Sequence, residues 1–480
     1  MDANAVENVL YLADSYKVTH HLQYPPGTSY VYSYYESRGG KFSEVCFFGL
    51  QYIIKRWLVG PVVTEKMVEE ARTFYRGHFR GQPVFNYEGW MHIVKKHSGR
   101  LPLRIKAVPE GSVIPVKNVL ITVENTDPEV PWLTNWFETL LVQVWYPTTV
   151  CTISRQHKIA IANYLHETSD SLRTLRSKLH DFGYRGSTSI QSAGIGGAAH
   201  LVNFSSTDTV AALLVCKKFY GHPMAAETIP ASEHSTMTSW GKENEANAYK
   251  NMLQQFPNTP VSVVSDSYDI YNAVENIWGR ELRELVSART ENNCLVIRPD
   301  SGNPREVVIK VLNLLAKNFE CRKNKKGYRV LPDYIRLLQG DGVCYETLND
   351  MLKNLKSSGW SAENLAFGAG GALLQKMDRD TQKFAMKCSM VIVHGKEVNV
   401  FKDPITDAAK TSKKGRLTLE CNNGVYETIQ EGQGDPKKDL LITVFENGTL
   451  LRDYSLDEIR LRAEIDLVKA TSEMTMNGGK

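Results

Sequence analysis

The sequence has 480 residues, of which 42% are hydrophobic and 23% charged, and this is the composition of a globular protein. A chain of this length is too long for one ordinary core, so we expect two or more domains. The 57 basic and 53 acidic residues leave a formal net charge of +4, which is too small to favour nucleic acid as the main partner.

Three features bear on location. No apolar run approaches the ~20 residues that a membrane-spanning helix needs. Residues 1–9 are polar and lack the basic start and apolar core of a signal peptide. The eight cysteines are spread along the chain without a CxxC pair, which is typical of reduced thiols. We therefore expect a cytoplasmic protein with no membrane partner.

The amino-terminal region, to about residue 147, mixes strand and helix signals. β-rich or alternating segments predict strands at 30–35, 104–108 and 119–123. Apolar residues at helical spacing predict helices over 132–145 and 149–167. Pro147 is expected to end the first of these helices, because proline disrupts a helix interior.

The central region contains seven short apolar runs that each end in a small, polar turn. The turns cover residues 180–186, 205–208, 230–234, 265–267, 298–302, 339–342 and 367–371. The clearest runs are continuously apolar, as expected for parallel strands covered on both faces, and the intervals between them leave room for a crossover helix. This pattern predicts an incomplete parallel α/β barrel of about seven strands, with its site at the carboxyl ends of the strands.

After residue 383 the pattern becomes antiparallel. Hairpins are predicted over 390–401, around Asn423-Gly424 and around Asn447-Gly448, followed by a helix over 456–468. We expect these strands to join the amino-terminal ones. The fold class is then α/β, with a barrel domain at 149–378 and a discontinuous, mostly antiparallel α+β domain at 1–148 and 379–480.

Several of these segments together resemble the nicotinamide phosphoribosyltransferases, which belong to the type II phosphoribosyltransferases. The resemblance runs from about residue 10 to 459, and its motifs are residues 14–20, 178–186, 233–236, 264–269, 297–302 and 339–342. It implies the barrel and β domain described above and a head-to-tail homodimer with two shared active sites. The segment after Arg38 is shorter than in the animal enzymes, which indicates a microbial homologue. Ala385 stands where the animal enzymes have a serine near the phosphates, which bears on one phosphate contact and not on the reaction.

The implied reaction converts nicotinamide and phosphoribosyl pyrophosphate (PRPP) into nicotinamide mononucleotide and pyrophosphate, in NAD salvage. Mg²⁺ would accompany the diphosphate, and ATP would be a co-substrate that phosphorylates His234. The alternatives are a nicotinate phosphoribosyltransferase and a non-catalytic signalling or interaction protein. The charged turns argue against the second alternative, because a scaffold does not need them.

The resemblance assigns the base to Phe182, Arg298 and Tyr16, with Tyr16 coming from the other subunit. Asp208 ends the second barrel turn, so its side chain is expected to face the barrel mouth beside Phe182. Phe182 would stack on the pyridine ring, although a phenylalanine is also an ordinary core residue. Asp208 would accept a hydrogen bond from the amide, since an ionised carboxylate only accepts. It is equally suited to capping the helix that follows.

The resemblance assigns the diphosphate to seven arginine, lysine and histidine residues: Arg185, His234, Arg298, Arg38, Arg379, Lys387 and Lys402. Arginine offers a fork of donors to phosphate oxygens. Taken alone, an exposed lysine or arginine is a solvated side chain, and we interpret residues 413–416 in that way. His234 is also open to interpretation as a hydrogen-bonded histidine at a helix start, and the neighbouring Glu233 is one group that would orient its ring.

The remaining assignments concern the ribose, the product phosphate and the metal. The ribose and the product phosphate are assigned to Asp300, Gly340, Asp341, Gly370, Gly371 and Arg379. Asp266 and Asp300 are expected to influence Mg²⁺ indirectly. His234, Asp300 and Arg298 are the expected catalytic residues. Mg²⁺ prefers oxygen ligands and retains waters, so few carboxylates are needed. Asp266 is alternatively a helix cap, and the glycine pair is alternatively a tight turn.

Overall fold

The protein is described by a computed structural model that covers residues 8–403, 405 and 411–466. The chain divides into two compact units. Unit 1 comprises Met1–Thr152, Phe219–Gly221 and Met377–Ala463, and unit 2 comprises Ile153–Lys218, His222–Lys376 and Glu464–Lys480.

The strands, in chain order, are β1 Thr28–Ser37, β2 Glu44–Cys46, β3 Leu103–Ala107, β4 Val113–Pro115, β5 Val119–Asn125, β6 Leu179–Asp181, β7 Val261–Val264, β8 Leu295–Arg298, β9 Arg322–Lys323, β10 Arg329–Val330, β11 Ile335–Gln339, β12 Leu365–Ala369, β13 Phe384–Val393, β14 Lys396–Asn399, β15 Leu417–Asn422, β16 Val425–Gln430, β17 Ile442–Glu446 and β18 Thr449–Leu450.

The α-helices are α1 Leu50–Trp57, α2 Glu65–His78, α3 Tyr87–His97, α4 Leu133–Trp136, α5 Glu138–Val142, α6 Trp145–Thr168, α7 Ile190–His200, α8 Val210–Tyr220, α9 His234–Thr238, α10 Glu245–Gln255, α11 Ile270–Asn272, α12 Arg283–Ser287, α13 Pro304–Asn318, α14 Tyr345–Ser357, α15 Gly371–Leu374 and α16 Leu456–Ala463. A π-helix covers Ala273–Glu281. Short 3₁₀ helices cover Ser15–Leu22, Leu175–Ser177, Tyr184–Gly186, Lys242–Asn244, Glu291–Asn293, Ala362–Asn364, Arg379–Thr381 and Pro436–Lys438.

Unit 1 is built on a seven-stranded sheet with the order β14-β13-β1-β5-β3-β17-β18. β13 pairs antiparallel with β1, and β17 pairs antiparallel with β3, so the carboxyl-terminal strands join the amino-terminal ones as predicted. The hairpin turns at Asn423-Gly424 and Asn447-Gly448 have positive φ, which glycine and asparagine adopt readily. β15 and β16 form a separate two-stranded sheet.

The region around Pro147 differs from the sequence prediction. The predicted helix over 132–145 is divided into α4 and α5, and α6 then begins at Trp145 and continues to Thr168. Pro147 therefore lies in the first turn of α6 and does not end a helix. Proline is tolerated there because the first N–H groups of a helix have no partner within the helix.

Unit 2 contains the predicted parallel strands. Five of them form one sheet with the order β6-β12-β11-β8-β7. Isolated parallel bridges join Asp181 to Thr207, Ser206 to Glu227 and Ala231 to Ser262. Two short segments, around 206 and between 227 and 231, therefore connect β6 to β7 and complete a ring of seven strand positions. The predicted seven-stranded barrel is confirmed, with two positions too short to be regular strands.

Other predictions concern thiols, membranes and the carboxyl terminus. The eight cysteines are free thiols. Among the described residues, no helix combines the length and apolar character needed to cross a bilayer. The predicted terminal helix ends at Ala463, and residues from 467 onward lie outside the described part of the chain.

Candidate functional site

The carboxyl ends of the unit 2 strands bring several predicted residues together around Gly340 and Gly368. A Cβ atom placed on Gly368 would lie 2.1 Å from the Phe182 ring. A Cβ on Gly340 would lie 3.1 Å from Asp300 Oδ1, 3.5 Å from the Phe182 ring and 3.6 Å from Arg298 Cδ. The two glycines therefore leave room beside an aromatic ring, a guanidinium and a carboxylate. Phe182 is half-buried, in contrast to the fully buried core around it.

Arg298 and Asp300 form a loose ion pair at this mouth. Arg298 Nε lies 3.4 Å from Asp300 Oδ1, and Nη2 lies 3.4 Å from Oδ2. Arg298 Nε is buried and has no hydrogen-bond partner within the described residues. A buried donor without a partner is costly, so this guanidinium is suited to binding an anionic or carbonyl oxygen.

His234 is the first residue of α9 and pairs with Asp266. Its Nε2 lies 2.9 Å from Asp266 Oδ1, and 47% of the imidazole is exposed while only 4% of the carboxylate is. A carboxylate only accepts, so Nε2 carries the hydrogen and the lone pair of Nδ1 is left for a phosphorus or proton. In the part of the chain that the structure describes, Asp266 caps no helix, and Asp269 accepts the N–H groups of Tyr271 and Asn272.

Glu233 has a different role from the one the sequence allowed. It is the N-cap residue of α9, and it forms a capping box with Thr236. Its carboxylate also accepts a hydrogen bond from the Ser235 hydroxyl. Asp266, and not Glu233, therefore orients the His234 ring. The sequence did not reveal this pair, because 32 residues separate its members.

Asp208 ends the second barrel turn with an exposed side chain. Its Oδ1 accepts a hydrogen bond of 2.8 Å from Thr228 Oγ1, and its backbone N–H donates to the Asp181 carbonyl. Within the described residues its carboxylate caps no helix, because Thr207 Oγ1 accepts the Thr209 N–H. The predicted cap alternative is therefore not what the side chain does.

Two further residues beside Phe182 were not identified from the sequence. Burial lowers the pKa of His180, and the charge of Asp208 opposes this effect. The His180 and Phe182 rings are 5.9 Å apart. Burial raises the pKa of Asp181 to about 6, although Gly183 N–H donates to it. The available signal was their position between a buried strand and a glycine-rich turn.

The glycine pair and Arg185 lie around the same turn as Phe182. A Cβ on Gly370 would lie 3.8 Å from the Phe182 carbonyl oxygen, and one on Gly186 would lie 3.8 Å from Gly371 Cα. Arg185 is exposed in the 3₁₀ helix Tyr184–Gly186. The exposed Asp341 follows Gly340, and its carbonyl accepts a hydrogen bond from the Gln339 amide.

Four of the basic residues of unit 1 form a cluster, which we call the unit 1 basic cluster: Lys17, Arg38, Arg379 and Lys387. Burial lowers the pKa of Lys387, Glu138 opposes this effect, and the charges of Arg38, Arg379 and Lys17 lower it further. Clustered cations with one partly buried ammonium favour an anionic ligand.

The other unit 1 residues are placed as follows. Tyr16, 56% exposed, lines a cavity of about 450 Å³ together with Lys17 and Lys387. Lys402 is exposed, and its backbone N–H donates to Ser412 Oγ. The charges that act on Lys387 join it to Arg38 and Arg379.

The carboxylates proposed to influence a metal already have partners. Asp266 Oδ1 bonds His234, and both oxygens of Asp300 face Arg298. Direct ligation by Asp300 would break its contacts to Arg298, whereas Asp266 Oδ2 lies outside the bond to His234. This donor set fits a Mg²⁺ ion that is held by a diphosphate and its own waters, with the carboxylates as outer partners.

Comparison with known proteins agrees with this geometry. The nicotinate phosphoribosyltransferase (NAPRTase) family matches residues 177–449, and the N-terminal domain of nicotinamide phosphoribosyltransferase matches residues 8–105. A nicotinamide phosphoribosyltransferase of Xanthomonas campestris pv. campestris (strain 8004) is 49% identical over 469 residues, covering 96% of this chain and 98% of the relative. One of Acinetobacter baylyi (strain ATCC 33305 / BD413 / ADP1) is 32% identical over 498 residues, with coverage of 95% and 97%.

Solved structures with similar folds include nicotinate-nucleotide pyrophosphorylase from Pyrococcus furiosus, with a TM-score of 0.62, 14% identity and 98% coverage of both chains. Human nicotinic acid phosphoribosyltransferase has a TM-score of 0.56 and 15% identity, with 94% of this chain and 92% of that chain covered. At these identities the structures support the fold alone. From the matches in sequence, the chain belongs to the nicotinate phosphoribosyltransferase family and, within it, to the nicotinamide phosphoribosyltransferases.

Proposed function

We propose that this chain transfers the phosphoribosyl group of PRPP to nicotinamide, which yields nicotinamide mononucleotide and pyrophosphate for NAD salvage in the cytoplasm. The observation that carries the proposal is the convergence of Phe182, Arg298 and Asp300 on the space beside Gly340 and Gly368. Phe182 suits stacking on a flat ring, Asp300 suits a ribose and Arg298 suits an anionic oxygen. The similarity to nicotinamide phosphoribosyltransferases over 96% of the chain favours nicotinamide as the base.

The proposed chemistry is positioning combined with charge stabilisation. The pyridine ring stacks on Phe182, and Asp300 accepts hydrogen bonds from ribose hydroxyls while Arg298 donates to the substrate. Held in this way, the pyridine nitrogen attacks the anomeric carbon as the bond to pyrophosphate breaks, and the departing charge is neutralised by cations. Asp341 and the glycine pair serve the ribose and the product phosphate.

ATP and Mg²⁺ have separate places in this proposal. Nδ1 of His234 attacks the γ-phosphorus of ATP, the bond to ADP breaks, and the imidazole carries the phosphoryl group. Asp266 holds Nε2–H and stabilises the charge that develops on the ring. Mg²⁺, when bound with the diphosphate, reduces the negative charge that the arginines must meet.

The assay that tests the function supplies radiolabelled nicotinamide and PRPP, with and without ATP, and measures labelled mononucleotide. We expect product in both cases, with more product in the presence of ATP. Labelled nicotinate is the parallel substrate, because a nicotinate phosphoribosyltransferase is the alternative within the family. Faster turnover of nicotinate than of nicotinamide contradicts the choice of base, and no product from either contradicts the reaction.

We also propose a homodimer in which Tyr16 of the partner subunit covers the base that Phe182 supports. The exposed Tyr16 ring and the unit 1 basic cluster support this arrangement, as does the family resemblance.

Tyr16→Ala chains and Asp300→Ala chains should each be nearly inactive. The two kinds of chain are then mixed so that subunits exchange at random. If the sites are shared, the mixture should regain about one quarter of the wild-type activity per site. Exchange confirmed by mass without recovered activity contradicts shared sites.

Gly368→Ala is expected to raise KM for nicotinamide by about 5- to 30-fold, the equivalent of ~1–2 kcal/mol. The new methyl group would lie 2.1 Å from the Phe182 ring, so the ring must leave its position. Steady-state kinetics at saturating PRPP measures the effect. Gly77→Ala is the control, because a Cβ at Gly77 has no atom within 4 Å. An unchanged KM in a folded Gly368→Ala variant contradicts a role for the ring in base binding.

A further inference from the structure

A cluster of two histidines and an aspartate lies in unit 1, apart from every residue assigned to the reaction. His92 and His97 belong to the carboxyl-terminal half of α3, and Asp127 follows β5 by two residues. His92 Nε2 lies 2.9 Å from Asp127 Oδ2, and His97 Nε2 lies 2.6 Å from the same atom. All three atoms lie within 4.8 Å of one another. Two segments of different secondary structure therefore present three metal-binding groups to one point.

The loop holds the Asp127 carboxylate rigidly in this position. Its Oδ1 accepts a 3.0 Å hydrogen bond from the Glu129 N–H, and the Asn125 amide donates to its carbonyl at 2.9 Å. Only 3% of the side chain is exposed. Burial alone would raise the pKa of Asp127, but the bonds from Glu129, His92, His97 and Lys96 hold it well below its usual value. The site therefore contains a fixed, buried negative charge.

We propose that His92, His97 and Asp127 form a binding site for a divalent transition metal ion, with Zn²⁺ as the best fit. Two imidazole nitrogens and one carboxylate oxygen are a common ligand set for Zn²⁺, and a water completes the tetrahedron. Metal–ligand bonds of ~2.0–2.1 Å separate tetrahedral ligand atoms by about 3.3 Å. The present distances of 2.9 and 2.6 Å require each ring to move outward by several tenths of an ångström.

The surroundings permit this movement. The His92 and His97 side chains are 28% and 23% exposed, so the rings border solvent and the metal has a route to them. Binding replaces two N–H donors by two nitrogen lone pairs, so each neutral ring carries its hydrogen on Nδ1 in the metal-bound state. The buried carboxylate keeps a positive partner throughout, which avoids an unpaired charge.

Lys96 is the competitor for the same oxygen. Its Nζ lies 3.0 Å from Asp127 Oδ2, and 56% of its side chain is exposed. A metal ion at the site repels the ammonium, which is free to extend into water. Removal of the ammonium should therefore strengthen metal binding. An arrangement that served only as an ion-pair network would have no such response.

A bound ion would join the end of α3 to the loop that precedes α4. These segments already meet through indole rings: the Trp90 ring centroid lies 5.0 Å from that of Trp132 and 5.1 Å from that of Trp136. A ligand that binds only the folded state stabilises it by mass action. The expected role is thus structural, and the neighbouring indoles give an optical signal for paramagnetic ions.

The test is calorimetric titration of the full-length, chelator-stripped protein with Zn²⁺, and of its His97→Gln, His92→Gln and Lys96→Met variants. Loss of an outer partner of a metal ligand weakens binding about 10- to 100-fold, and loss of a ligand should exceed that. We expect each glutamine variant to lose one equivalent of tight binding. Lys96→Met should bind more tightly than wild type. His78→Gln, an exposed histidine on α2, is the matched control and should bind as wild type does.

Two further measurements remove ambiguity. Unfolding of each variant in chelator establishes that it is folded, and the absorption spectrum of the Co²⁺-loaded protein separates nitrogen and oxygen ligation from thiolate ligation by the eight cysteines. A d–d band without thiolate charge transfer, lost in His97→Gln, supports the site. Titrations that are identical in wild type, His97→Gln and Lys96→Met overturn it. A Co²⁺ spectrum of thiolate type alone also overturns it.

Discussion

His234→Ala is expected to abolish transfer of the γ-phosphate of ATP to the protein and to leave slow synthesis that ATP no longer stimulates. In the His234–Asp266 pair, Nδ1 of His234 is the nitrogen that is placed to form a bond to phosphorus, and alanine removes it. Phe182, Arg298 and Asp300 remain, so the base and the ribose are still held. The ATP-independent rate should fall because the proposed contact of His234 to pyrophosphate is lost.

The measurement uses ATP labelled in its γ-phosphate and follows label on the chain, together with ADP released per mononucleotide formed. Phosphohistidine is labile in acid and stable in alkali, which identifies the bond. His166→Ala, an exposed histidine of α6, is the matched control and should become labelled normally. ADP release that stays in step with product in His234→Ala means that another residue carries the phosphate.

Asp266→Asn tests how His234 is positioned. An asparagine amide presents either its oxygen or its NH₂ group to Nε2. In the second arrangement Nε2 accepts, so the hydrogen moves to Nδ1 and the nucleophilic lone pair is lost. We expect phosphoryl transfer to slow by about 10²- to 10⁴-fold, since the wrong histidine tautomer costs a catalytic triad up to about 10⁴-fold. ATP-independent synthesis should change far less, which a general loss of structure would not permit.

Much of the barrel could be predicted from the sequence. Parallel strands buried on both faces are short apolar runs, and the turns after them are recognisable because glycine, serine and aspartate interrupt the pattern. The hairpins at Asn423-Gly424 and Asn447-Gly448 were predictable for a similar reason, since positive φ restricts the residue types there. These are local constraints, and each is visible within a few residues.

Features that depend on distance through space were not predictable. The turns at 205–208 and 230–234 were predicted as barrel positions, but isolated bridges take the place of regular strands there, and this depends on partners in distant segments. Asp266 meets His234 because two barrel turns are neighbours, and nothing local distinguishes it from the true cap Asp269. His92, His97 and Asp127 form no spacing motif, because β3, β4 and β5 lie between α3 and the aspartate. The sequence pattern predicts the start of α6 at residue 149, whereas α6 begins at Trp145, so Pro147 lies inside the first turn and does not end the preceding helix.

Asp208→Asn is expected to lower kcat/KM for nicotinamide and to reduce its preference over nicotinate by about ten- to 150-fold. The amide NH₂ of nicotinamide donates to the charged carboxylate, and a hydrogen bond to a charged group contributes ~1.5–3 kcal/mol. Nicotinate donates nothing there and is repelled. The location supports this role, since Asp208 is exposed, is fixed by Thr228 at 2.8 Å and acts electrostatically on His180 beside Phe182.

Asparagine is the informative replacement because it retains an oxygen for the bond to Thr228, removes the charge and exchanges the other acceptor oxygen for an NH₂ donor. Competition between labelled nicotinamide and nicotinate gives the ratio of kcat/KM values in a single reaction, so differences in active enzyme concentration cancel. Asp435→Asn is the matched control: Asp435 does cap a 3₁₀ helix, by accepting the Lys437 N–H, and its replacement should leave the ratio unchanged. If Asp208→Asn also leaves the ratio unchanged and has a normal unfolding temperature, then another residue of the Phe182 pocket selects amide over acid. His180 is half-buried, with its ring 5.9 Å from the Phe182 ring, and would then be the next residue to replace.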